Sequence, residues 1–262
     1  MGIEVHVHWG SLTLSVYRVW LTAGVALSLV YFIISLAHLQ RWQTLLDASL
    51  VAVAVGLCLA RLEFVALRWH LFANDFAQVW RWDSTVGGLG WHGGMLGVGG
   101  VLWLHPTFRT LPRIALAQAT LPILPILLYC AWQACEPIGC LAGREVQSLA
   151  DFPIGIVSER PNLYGVAVPR YHTHLIGQCL AIGLAWGVGV NMLANRPTSW
   201  GHVLGVVCAL GVGAWGIGLA LEDRPLLSPF LDLAVSMLAL LGLGWARYTV
   251  AKGVFKSASI QS

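Results

Sequence analysis

Charge is what this sequence has least of. Asp, Glu, Lys and Arg make up 10% of its 262 residues, against about 25% in soluble domains, which excludes an ordinary water-soluble globule. At 57% hydrophobic residues and a mean hydropathy of +0.73, intrinsic disorder is excluded too, because disorder needs polar sequence. The formal charge is only +3, and no dense Lys/Arg cluster exists, so no nucleic-acid surface is expected. Six scattered cysteines at this length do not make a disulfide-stapled secreted fold. Alternating strand patterns of the outer-membrane barrel type are also missing.

What the chain does have is long apolar runs, rich in glycine (29 residues). A membrane-spanning helix needs about 20 mostly apolar residues. Seven such runs occur, at roughly 12–38, 45–68, 86–105, 111–133, 172–194, 200–222 and 226–250. The expected fold is therefore an all-α integral membrane protein of about seven transmembrane helices, forming a single membrane domain over 1–262. One long polar connection, at about 134–171, separates the fourth and fifth spans. No positively charged segment precedes the first run, because the first basic residue is Arg18, so no cleavable signal peptide is expected. The N-terminal tail has no Lys or Arg, whereas Arg247, Lys252 and Lys256 lie near the other end. That bias places the N-terminus outside and the C-terminus in the cytoplasm.

With that orientation, ionisable groups inside the spans fall at one depth. At 1.5 Å rise per residue, Arg18 lies about 9 Å below the outer end of the first run. Arg61, Glu63, His92 and Asp232 sit about five to seven residues below the outer ends of theirs. Charges in hydrocarbon are costly without partners or water, so such a layer marks a site. Snorkelling of Arg18 or Arg61, and a structural pairing of Glu63 and Asp232, are the plainer readings. A solute transporter would carry polar groups through the full depth, and here they stop in the outer half.

Three motifs stand out. Gly87-Gly88-Leu89-Gly90-Trp91-His92-Gly93-Gly94 surrounds one histidine with glycines, which allow close backbone or ligand approach. A neutral histidine there can act as a general base. Ile138-Gly139-Cys140-Leu141-Ala142-Gly143-Arg144 follows the fourth run, and Arg144 could clamp a phosphate. Pro169-Arg170-Tyr171-His172-Thr173-His174 leads into the fifth. His172 and His174, two apart, cannot share a helix face. No Cys/His spacing matches a zinc or haem motif, so neither metal nor cofactor is expected. Cys135 and Cys140 could pair in an oxidising exterior, while the other four cysteines read as small apolar residues.

These motifs resemble the prolipoprotein diacylglyceryl transferase family, over nearly the whole chain. His92-Gly93-Gly94-Met95-Leu96-Gly97 is similar to the family's His-Gly-Gly-Leu-x-Gly. Val16-Tyr17-Arg18, Ala60-Arg61-Leu62, Ile138-Gly139, Gly143-Arg144 and Pro169-Arg170 with Thr173 and Leu175 resemble further family segments, as do Glu222 and Arg224. The resemblance implies an enzyme of the bacterial cytoplasmic (inner) membrane that crosses it several times. It would move diacylglyceryl from phosphatidylglycerol to the lipobox cysteine thiol of a preprolipoprotein and release glycerol phosphate. His92, Arg144 and Arg170 would be catalytic. Tyr17, Arg61, Gly93, Gly94, Gly139, Gly143, Glu222 and Arg224 would bind substrate or close the site around it. The chain also departs from the family. Pro137 and Cys140 stand where the family's Arg-x-Gly-Asn has its arginine and asparagine, Gly218 replaces another arginine, and Ile176 and Gly177 replace Tyr and Glu. A non-catalytic lipid-binding protein on the same scaffold is the alternative expectation.

Overall fold

The computed structural model describes residues 6–9, 12–80, 88–138, 143–148, 156–161, 167–193, 200–221, 225 and 227–242. They are mostly helical. A hairpin of β1 (His6–Trp9) and β2 (Leu12–Ser15) leads into α1 (Val16–Leu36) and α2 (Trp42–Leu67). Two 3-10 turns, Trp69–Leu71 and Phe76–Trp80, follow. Next come α3 (Trp91–Leu104), the short α4 (Pro106–Arg109), α5 (Arg113–Thr120) and α6 (Ile123–Ile138). Strands β3 (Val157–Pro161) and β4 (Ala167–Tyr171) precede α7 (Thr173–Leu193), α8 (Trp200–Leu219) and α9 (Ser228–Gly242).

Five helical stretches among the described residues are long and apolar enough to cross a membrane: Val16–Leu36, Trp42–Leu67, Arg113–Glu136, Thr173–Met192 and Gly201–Leu219. The runs expected at 86–105 and 226–250 are shorter as described helices, 14 residues in α3 and Ser228–Gly242 in α9. The run expected at 12–38 begins instead with a strand. Leu12-Thr13-Leu14-Ser15 alternates apolar and polar residues, the period of a strand, and pairs antiparallel with His6–Trp9. The polar connection is also partly built: β3 and β4 pair antiparallel from Val157↔Tyr171 to Pro161↔Ala167. Between α5 and α6 lies Pro122, which lacks the N–H that helix continuation uses.

The tightest seam is between α2 and α3. A Cβ on Gly93 would overlap the Leu59 carbonyl, and one on Gly97 would come 2.7 Å from the Gly56 Cα. These backbones can meet only because neither position carries a side chain, the small-xxx-small packing of membrane helices. At one end of the bundle Phe32, Leu36, Leu45, Leu102, Phe108 and Leu116 form an apolar core, with Phe32 and Phe108 edge to face at 5.8 Å. The opposite end gathers the start of α1, the end of α2, the starts of α3, α7 and α9, and the ends of α6 and α8. Every polar group singled out by the sequence and described here lies at that end.

Candidate active site

His92 is the second residue of α3 and is 6% exposed. The α3 N-cap, Gly90, has no side chain to cap the helix, so the first-turn N–H groups need a partner from elsewhere. Glu63, in the last turns of α2, supplies it. Its Oε2 accepts the Gly93 N–H at 2.6 Å, and its Oε1 lies 2.5 Å from His92 Nδ1. A carboxylate at a helix N-terminus also meets the positive end of the helix dipole. On the other side of the ring, Asp232 of α9 is 2% exposed, with Oδ1 3.0 Å from His92 Nε2. That is an ion-pair distance, and Nε2 makes no hydrogen bond of its own among the described residues. The same oxygen accepts the Trp91 indole N–H at 3.1 Å, and the Trp91 and His92 rings lie 4.1 Å apart. Three helices thus place one imidazole between two carboxylates.

Beside it, Arg61 is 1% exposed. Its guanidinium donates to the carbonyls of Val79 (2.8 Å), Gln78 (2.9 Å) and Gly88 (3.3 Å) and lies over the rings of Phe64 and Phe72. Placed so, it fastens the 76–80 turn and the approach to α3 onto the end of α2. Tyr17, half-buried in the first turn of α1, is near enough to feel the Arg61 charge. Arg18 is exposed. Gly94 differs from Gly93: a Cβ there would make an ordinary 3.6 Å contact with Ala60.

A second group forms around residues 143–146. The Arg144 N–H donates to Ala220 (2.7 Å), the Val146 N–H to Pro169 (2.9 Å), and the Tyr171 N–H to Arg144 (3.2 Å). This segment therefore bridges β4 and the end of α8. A Cβ on Gly143 would run into the Tyr171 carbonyl, so only glycine lets the strand come this close. Arg170, 5% exposed, holds the segment from beneath. It donates to the Gly143 carbonyl at 3.1 Å and pairs with Glu145 at 2.5 Å. Arg144 itself is exposed, and among the described residues its side chain donates to the Leu219 carbonyl (2.9 Å). Arg144 and Arg170 are thus brought to each other, and neither is among the polar partners of His92. Nearby, Glu136 at the end of α6 accepts a bond from Gln178 (3.2 Å) and faces His172 at 4.0 Å. Cys135 is disulfide-bonded. Cys140, with which the sequence allowed it to pair, lies outside the described residues, as do Gly139, Glu222 and Arg224.

Sequence reasoning put Glu63, Asp232 and His92 in one layer but did not put the two acids in contact with the histidine. The available signal was an acid in an otherwise apolar run one or two turns from a helix end, in the same layer as the histidine. Trp91, whose indole fixes Asp232, gave no signal beyond standing next to it.

None of the curated proteins matches this chain at a significant level. The sequence model described as prolipoprotein diacylglyceryl transferase matches residues 4–216. That stretch carries Glu63, His92, Arg144 and Arg170, and the chain belongs to this family of transferases.

Proposed function

We propose that this protein is a multi-pass enzyme of the bacterial inner membrane that moves diacylglyceryl from phosphatidylglycerol to the thiol of a preprolipoprotein lipobox cysteine. The observation that carries this reading is the buried histidine between Glu63 and Asp232 at the end of the bundle where the charged segments gather. In the reaction the thiol loses its proton and its sulfur attacks the glyceryl carbon bonded to the phosphate oxygen. The C–S bond forms as the C–O bond breaks, and glycerol phosphate leaves with the electron pair of that bond. Thiols titrate near 8.5, so a base must take the proton, and His92 is the group in place for it. The phosphate needs a cation where charge develops. Arg144 is exposed and fits that role, and Arg170 would serve by holding the 143–146 segment that presents it. Tyr17 and Arg61 are assigned to the head-group end, where Gly93 and Gly143 let backbones pack closely and Gly94 keeps only an ordinary contact with Ala60; Gly139 is assigned to substrate binding. Glu222 and Arg224 are assigned to substrate binding or closure of the site. In this reading α3 and α9 extend the five long helices to seven spans, with the N-terminus outside and the C-terminus in the cytoplasm.

The test is transfer of labelled diacylglyceryl from phosphatidylglycerol to a lipobox peptide by the purified protein in lipid vesicles. Label on the peptide that vanishes in His92→Ala is expected. The absence of an arginine at Pro137 and an asparagine at Cys140 favours one alternative, a lipid-binding protein without catalysis. Phosphatidylglycerol retained on the protein with no label ever reaching the peptide would establish it and overturn the enzyme reading.

A further inference from the structure

We infer that Glu63 and Asp232 are positioning residues that make His92 a one-sided base: Glu63 fixes the ring from Nδ1, and Asp232 offsets the charge that forms when Nε2 takes a proton. The inference rests on the transferase reading above and adds two residues that the sequence motifs leave without a role.

The geometry separates the two jobs. Glu63 cannot swing away from the ring freely, because its second oxygen is tied to the Gly93 N–H. A neutral imidazole has one N–H, and the 2.5 Å contact to Glu63 is best satisfied with that proton on Nδ1. Nε2 then carries the lone pair. Asp232 stands 3.0 Å from Nε2, and Nε2, buried and without a hydrogen bond of its own among the described residues, is the ring atom left to take a proton. Its oxygen stays there because the Trp91 indole holds it at 3.1 Å, whatever the ring does. When the thiol proton arrives on Nε2, the imidazolium finds a fixed carboxylate at ion-pair distance. Both partners are almost fully buried, where such a charge interaction is far stronger than in water. The proton then passes to the departing glycerol phosphate oxygen, so the three side chains end the cycle with the protons they began with. This is the orienting-acid logic of hydrolase triads, assembled from α2, α3 and α9.

The test uses the full chain in lipid nanodiscs, with Glu63→Gln, Asp232→Asn and Trp91→Phe. In the transfer assay, Asp232→Asn is expected to lower kcat at least tenfold with KM for lipid and peptide within about twofold. Trp91→Phe should give a smaller loss of the same kind, and Asp232→Glu should restore part of the rate. Combining Asp232→Asn with His92→Asn should cost no more than His92→Asn alone, because residues acting as a unit are not additive. Ring 15N spectra of the histidines, with His92 assigned by its loss in His92→Asn, should shift in both Glu63→Gln and Asp232→Asn. Unmoved His92 ring signals in those two variants would overturn the inference, as would a rate loss that follows thermal stability with the carboxylate variants showing no kcat effect of their own. If the unmodified chain transfers no label, the transferase reading fails, and the 15N shifts alone still decide whether the two acids hold the ring.

Discussion

The two glycines that follow His92 face different neighbours, and their substitution should separate them. Gly93 lies against the α2 backbone at Leu59, and an added methyl has no flexible atom to push aside. Gly93→Ala should therefore destabilise the protein by about 1–3 kcal/mol, the usual range for overpacking, and tilt His92 off Glu63. Gly94 has room for a Cβ beside Ala60, and alanine is favoured over glycine in a helix by about 1 kcal/mol. Gly94→Ala should leave thermal unfolding in detergent unchanged or slightly raised. Arg144→Ala tests the exposed arginine. It removes one surface-side bond to Leu219, so stability should move by no more than about 1 kcal/mol. If Arg144 binds the phosphate, transfer falls at least a hundredfold in the labelled-lipid assay; an unchanged rate would take Arg144 out of the reaction.

Arg61 shows how a charge conspicuous in the sequence can belong to the architecture of an element. Its fork satisfies three carbonyls of the 76–90 segment, and hydrogen bonds from charged donors contribute about 1.5–3 kcal/mol each. Arg61→Met should cost about 3–5 kcal/mol, less than the sum because the loop relaxes. Arg61→Lys, a point charge without the fork, should recover only part of it. Hydrogen exchange would register the change first at residues 76–80, before α2 itself. That Arg61, Glu63, His92 and Asp232 share one end of the bundle was legible because ionisable residues are rare in apolar runs. Which of them touch was not, because Trp91 and Asp232 are 141 positions apart and meet only through the packing of α9. Hairpin β1–β2 was lost for a different reason: four alternating residues joined directly to a 21-residue apolar helix read as one continuous span. The strands β3 and β4 sat in a polar stretch and pair with each other, while the neighbouring Arg144 N–H finds its partner as far away as Ala220.

Across the molecule, the buried ionisable side chains among the described residues (Arg61, His92, Arg170, His174 and Asp232) lie at one end with the strands, and the apolar core of Phe32, Leu45 and Phe108 lies at the other. The orientation proposed for it can be checked with single cysteines in an otherwise cysteine-depleted chain. Glu145→Cys, at the exposed partner of Arg170, should react with a membrane-impermeant thiol reagent in spheroplasts. Leu39→Cys, in the exposed turn between α1 and α2, should react only after permeabilisation. The opposite pattern would invert the protein in the membrane and put the histidine out of reach of exported substrates. Large exposed side chains such as Ile34, Leu96 and Trp186 fit a lipid surround.

The backbone contact between α2 and α3 also restricts traffic. A hydrocarbon tail cannot thread a seam where Gly93 already touches Leu59 and Gly97 touches Gly56, so that flank of the histidine is closed to lipids from the bilayer. Whatever acyl chains reach His92 must therefore arrive from a side of the bundle other than the α2–α3 seam, so loading and release share the remaining approaches.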